Sequence, residues 1–253
     1  MTEGTVMTDL FADLPADLPP GSPIGPEDGP PTAWLSDDEW DSDLHRRLLA
    51  DFPRTGWYPV LVDERAVDSW TEGELAPQPV AEIDRYDAAA VMAELWAENV
   101  AEQASYDISL EPLEPFGEAC PGLAPSLDSS GIDEVVDSYL AGFEADDGDR
   151  LLLAKVARGA DLPAVLGWQG DVDLPKVLTM LRSWEDRFGA RLVVLGFDSM
   201  RVITMPTEDV GQLQLMAAEQ WAFDPDWINQ EVETLEAQVE TMSGDPEWLF
   251  WWD

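Results

Sequence analysis

Leu192 to Phe197 is an unbroken apolar run, and its flanks constrain the fold more than any other part of the chain. Before it, Leu174, Val177, Leu178, Leu181, Trp184 and Phe188 recur every three or four residues, which places them on one face of a helix. Asp173 is positioned to cap the start of that helix, Pro175 is tolerated in its first turn, and Gly189 stops it. After the run, Asp198-Ser199 turns the chain into a shorter strand, Arg201 to Met205, ended by Pro206. A helix with one apolar stripe beside a strand apolar on both faces predicts a sheet with helices packed on it.

The same reading extends through the last third of the chain. Arg150 to Ala157 contains LLLAKV, a strand, and residues 161–167 form a short helical turn. Val210, Leu213, Met216, Ala217 and Trp221 mark a helix that Asp224-Pro225-Asp226 interrupts. Ile228, Val232, Leu235, Val239 and Met242 mark another, closed by Gly244-Asp245-Pro246. Glu247 to Trp252 is a terminal strand. The order β-α-β-β-α-α-β predicts an α+β class and, with a right-handed crossover, a small, loosely ferredoxin-like sheet.

Upstream the pattern is less regular. Residues 1–33 are an irregular arm, because Pro15, Pro19, Pro20, Pro23, Pro26, Pro30 and Pro31 deny it helix and ladder bonds. Its Leu10, Phe11, Leu14 and Leu18 can still dock on a surface. Ser36-Asp37-Asp38-Glu39 has the form of a capping box, followed at helical spacing by Trp40, Leu44 and Leu48 to about Asp51. Trp57 to Val62 reads as a strand, and Pro59 within it argues for a sheet edge. Asp87 to Ala104 and residues 132–145 are helices, with residues 107–130 loop-rich between them. The division predicted is an arm at 1–33, an acidic mixed α/β region at 34–149 and a C-terminal domain at 150–253.

Charge enters here. The chain carries 53 Asp+Glu against 13 Lys+Arg, a net of −40, and residues 1–149 hold −30 of it. Such a surface repels nucleic-acid backbones and anionic membranes and attracts basic proteins. Lysine is nearly absent (Lys155 and Lys176), so the acidity also fits a genomic bias toward Arg and Ala, or a halophilic host. No run of 18 apolar residues exists to span a membrane. Met1 to Leu18 lacks the basic start and apolar stretch of a secretory signal. With a lone Cys120 and no possible internal disulfide, the expected compartment is the cytoplasm.

Several stretches carry a family resemblance: RLLLAKVARGADLPAVLGWQG (150–170), LRSWEDRFGARLVVLGFDSM (181–200), AAEQWAFDPD (217–226) and WLFWWD (248–253). They resemble domain-of-unknown-function family 4253 (DUF 4253), a family associated with actinobacteria. Weaker similarity runs through PRTGWYPVLV (53–62) and PGLAP (121–125). The resemblance implies one full-length architecture and no established activity. Three departures stand out. Asp171-Val172-Asp173 replaces an Asn-His pair. Glu219-Gln220-Trp221-Ala222-Phe223 replaces Glu-His-Phe-Ala-Phe. Asp224-Pro225-Asp226-Trp227 replaces Cys-Pro-Asp-Asn.

Candidate sites follow, each beside a plainer reading. Arg158 follows a strand and could bind an anion, or pair locally while Asp161 caps the turn. Asp171, Asp173, Asp224 and Asp226 sit in loops and could hold a hard divalent cation, although chance clustering is expected among so many acids. Glu185 and Asp186 could serve as paired carboxylates, but adjacent helix residues diverge, and Arg182 with Asp186 has the spacing of a surface ion pair. Asp198 is better suited to its turn than to a site at a strand end. Trp248, Phe250, Trp251 and Trp252 make an aromatic terminus in which one face packs inward. The remainder, with Trp227, could form a binding surface. His45, beside Arg46 and Arg47, is expected on the exposed side of its helix, and Cys120 has no His nearby in sequence.

No Gly-rich phosphate loop, nucleophile elbow or zinc-spaced set occurs, and no cofactor is expected. The leading expectation is a non-enzymatic protein that binds a basic partner, in the manner of an inhibitor, an immunity protein or a mimic of nucleic-acid charge. The alternative is a carboxylate-based, metal-dependent enzyme. A third reading is a structural domain whose acidity is background. Oligomeric state is left open.

Overall fold

The computed structural model describes residues 11–168 and 173–252. Chain order begins with β1 (Gly21–Ile24), β2 (Ala33–Glu39), α1 (Ser42–Thr55), β3 (Trp57–Val62), α2 (Glu64–Thr71) and α3 (Ala88–Ser105). It continues with α4 (Ile132–Gly142), β4 (Arg150–Lys155), α5 (Leu162–Leu166), α6 (Leu174–Phe188), β5 (Arg191–Leu195) and β6 (Ser199–Ile203). It ends with α7 (Val210–Phe223), α8 (Pro225–Trp227), α9 (Leu235–Met242) and β7 (Glu247–Trp251). The fold is mixed α/β. It forms two compact units, each drawing on both sides of residue 150.

The first unit comprises Met1–Val80, Asp137–Gln169 and Leu192–Phe197. Its strands lie in the order β1-β2-β4-β3-β5, antiparallel except for β3 against β5. β4 therefore sits between two strands from before residue 150. This replaces the ferredoxin-like order expected within 150–253 alone. Leu151 to Ala154 are buried on both faces, as a near-continuous apolar strand requires.

Four expectations are corrected in this unit. Part of the arm is a strand: β1 pairs with β2 at the end of the order, where Pro23 is tolerated. A side chain at Gly21 would meet the Trp34 ring at 2.3 Å, so only glycine fits that close approach. Ser36 to Glu39 belong to β2, and the Ser36 hydroxyl bonds Asp38 rather than capping a helix. The N-cap of α1 is Asp41, which accepts from the Leu44 N–H at 2.6 Å.

Pro59 lies in a central strand rather than at an edge. The Val156 N–H donates to the Gly56 carbonyl, so even-numbered positions of β3 exchange bonds with β4. Pro59, at an odd position opposite Leu153, removes no donor from that ladder.

His45 is buried, not exposed. Trp40 precedes α1, so it does not set the helix phase, and His45 and Leu48 are the residues that α1 buries. The Trp40 Nε1–H donates to His45 Nδ1 at 2.9 Å. Burial holds the imidazole down to about 3, against a smaller opposing contribution from the Pro59 carbonyl, so the ring is neutral. Phe11, Leu14 and Leu18 do dock, packing against Trp34, Leu48, Trp57, Leu151 and Leu153. Leu10 lies outside the described residues.

The second unit comprises Ala81–Val136, Gly170–Arg191 and Asp198–Asp253. It contains α3, α6, α7, α8 and α9 with the antiparallel hairpin β6-β7. Trp184 of α6 is fully buried, 5.1 Å from Trp248, 5.5 Å from Phe250 and 4.7 Å from Phe223. On α3, Trp96 lies edge-on to Trp221 at 4.7 Å. Each such ring removes on the order of 200 Å² from water, about 5 kcal/mol of transfer free energy before entropy is counted. The helix expected from Ile228 to Met242 is broken. A π turn spans Ile228–Val232, Glu233 takes φ 76°, and Thr234 caps a new helix, α9.

Candidate functional site

From Tyr86 to Asp149 the sequence contains sixteen Asp and Glu and no Lys, Arg or His. Bases from elsewhere pair with some of these acids. Lys176 lies 3.1 Å from Glu94 and 2.9 Å from Glu98. Burial works against its ammonium charge, but the bonds to Glu98 and Glu94 outweigh it and hold the group above its ordinary range. Arg191 stands 3.6 Å from Asp133, and Arg46 2.7 Å from Asp137.

The segment after α3 has no such partners. Glu102, Asp107, Glu111, Glu114 and Glu118 are exposed, and among the described residues none of them forms an ion pair. Within this ring of acids, Tyr106 is 70% exposed and Ile108 is 51% exposed. The local chain explains their display. α3 has no glycine at its end, so Asp107 takes the left-handed turn at φ 55°. The Asp107 and Ile108 N–H groups then bond back to Ala104 and Gln103 at 3.2 and 3.0 Å. The helix C-terminus carries partial negative charge, and no basic residue occupies the last turn to offset it. Helix end and acids thus add to one negative field around two exposed apolar side chains.

The loop acids singled out from sequence are dispersed. Asp171 lies outside the described residues. Asp173 is exposed at the start of α6 and makes no side-chain capping bond. Asp224 is buried: Oδ1 accepts the Asp226 N–H at 3.0 Å and Oδ2 accepts the Trp251 N–H at 2.8 Å. Burial pushes its carboxyl up to about 7, against the opposing bonds from Trp251 and Asp226. Asp226 is half-buried beside it. Among the described residues, no three His, Cys, Asp or Glu side chains gather into a set able to hold a metal.

Of the aromatic terminus, Trp248 and Phe250 are core, while Trp251 and Trp252 are half-buried, as is Trp227. The Trp252 ring meets Phe223 at 5.6 Å. Arg158 is half-buried at the start of the turn Gly159–Asp161, whose Asp161 is buried. Arg182 pairs with Asp84 at 2.7 Å.

Sequence reasoning missed Glu219. It is fully buried and accepts from the Ala124 N–H at 2.7 Å, from Trp184 Nε1 at 2.8 Å and from both Arg187 terminal nitrogens at 2.7 and 2.5 Å. All its acceptor capacity is used inside the fold, so it acts as a tie between α6, α7 and the 124 loop. Its neighbour Gln220, at the His of the resembled motif, is also buried, with its oxygen bonded to Gln238. No signal within one sequence links residues so far apart.

Fold and surface together define a mixed α/β protein with an acidic, partly apolar exposed corner. Residues 150–253 match the family model described as Domain of unknown function (DUF4253), and that segment belongs to the family. No curated protein and no solved structure matches the chain. No helix among the described residues is long and apolar enough to cross a membrane.

Proposed function

We propose that this is a non-enzymatic, cytoplasmic binding protein whose partner is a basic protein, held at the corner formed by Tyr106, Ile108 and the surrounding acids. The observation that carries this reading is the pairing of two exposed apolar side chains with five acids that lack ion-pair partners among the described residues. Charge steers the encounter from beyond contact distance, and the field decays over about 10 Å at 0.1 M salt. Apolar anchors then supply buried area that charge alone does not. The same negative field disfavours nucleic acid. An inhibitor or immunity role toward a basic toxin fits this chemistry.

The test is affinity purification from the native host at low and at moderate salt. Retention of one basic protein at moderate salt supports the reading. A list of unrelated basic proteins that all wash away together contradicts it.

A further inference from the structure

β7 pairs with a strand on one side only. Its register with β6 runs from Ser199 opposite Trp251 to Ile203 opposite Glu247. Just outside that span, the Thr204 N–H donates to the Pro246 carbonyl and the Trp252 N–H donates to the Asp198 carbonyl, both at 2.9 Å. Antiparallel pairs alternate between bonded and non-bonded. Even-numbered residues of β7 therefore face β6 with their backbone groups. Glu247, Leu249 and Trp251 point theirs outward, along an edge of the kind that templates pairing with another chain.

Two of those three outward N–H groups are held by carboxylates. The Glu247 N–H donates to Asp245 Oδ1 at 2.9 Å, and the Trp251 N–H donates to Asp224 Oδ2 at 2.8 Å. The pattern is self-complementary. If two copies of β7 meet antiparallel about a two-fold axis at Leu249, the Leu249 groups bond each other, and Glu247 of each copy faces Trp251 of the other. The donors such a ribbon needs at its ends are the two that Asp245 and Asp224 occupy. Charge on the strand does not forbid the pairing, because Arg201 already neutralises Glu247 within the hairpin.

We infer that Asp224 and Asp245 are guards on the open edge of β7, and that the surface they close fits the β7 of a second copy of this chain. This surface shares no residue with the Tyr106 corner. Asp224 is the stronger guard, since it reaches the strand from the end of α7, whereas Asp245 bonds only two residues along.

The test is sedimentation velocity of the full chain in about 1 M salt, where the screening length is about 3 Å and the net charge no longer drives copies apart. Wild type sediments as a monomer. Asp224→Asn combined with Asp245→Ala gives a species of doubled mass that grows with concentration. Adding Leu249→Pro, which removes an outward N–H without touching a bond to β6, restores the monomer. A double variant that stays monomeric overturns the inference, as does a dimer that survives Leu249→Pro or a wild type already dimeric. Hydrogen exchange on the wild type tests it without substitutions. The Glu247 and Trp251 amides are protected like the β6-facing amides, and fast exchange at both would remove the guards.

Discussion

The carboxylate of Asp224 accepts the backbone N–H of Trp251 at 2.8 Å, tying the end of α7 to the terminal strand across 27 positions of sequence. The tie is made by an acid that burial pushes up to about 7, from an ordinary value of 3.8. Between those values the folded chain holds a proton that the unfolded chain has lost. The contribution of Asp224 to stability is therefore most favourable below about pH 4 and declines as pH rises through 7, by on the order of 4 kcal/mol in all. Thermal melts of wild type and Asp224→Asn across pH 4 to 8 check this. The wild type loses stability with rising pH relative to the variant, and parallel curves would contradict it.

His45 tilts the opposite way. Its folded value of about 3 lies below the ordinary 6.5, so the unfolded chain takes up a proton that the folded chain refuses. That contribution is intact above pH 6.5 and is lost as pH falls toward 3. Nuclear magnetic resonance of the imidazole should show no titration between pH 5 and 8. It should also show the proton on Nε2, because Nδ1 accepts from Trp40.

Glu219 and Arg187 form a buried pair whose halves depend on each other. Glu219→Ala leaves Arg187, the Trp184 indole and the Ala124 amide without their acceptor and costs about 3–5 kcal/mol. Arg187→Met costs a similar amount. The combined Arg187→Met and Glu219→Leu variant should lose much less than the two single losses added together, measured by urea unfolding.

Divalent cations should find no discrete site. Calorimetric titration with Mg²⁺ or Ca²⁺ is expected to show only weak, salt-suppressed association with the acidic surface. Stoichiometric binding that Asp224→Asn abolishes would revive the metal-dependent alternative.

Regular periodicity made α6, β5, β6 and the start of α7 legible, because their apolar spacing and their turn residues agree. The beginning of the chain was less legible for physical reasons. Ser36 to Glu39 fit a capping box locally, but pairing of β2 with β1 and β4 prevails over that local preference. Pro59 suggested an edge because its tolerance depends on which side of the strand bonds to β4, and that parity is fixed only by pairing. The expected face of α1 was displaced because Trp40 was counted as helical. At the candidate site the acidity was plain, but its focus was not. Which acids Lys176, Arg191 and Arg46 neutralise is a matter of tertiary structure, and so is the exposure of Tyr106 and Ile108.

The most direct measurement compares wild type with a Tyr106→Ser, Ile108→Ser variant in parallel affinity purifications at moderate salt. Both substitutions fall on exposed side chains, so the fold is retained while the anchors are lost. The account predicts that wild type retains one basic protein and that the variant binds it at least tenfold more weakly, about 1.4 kcal/mol or more. Equal retention by the two proteins would contradict the corner as the binding surface.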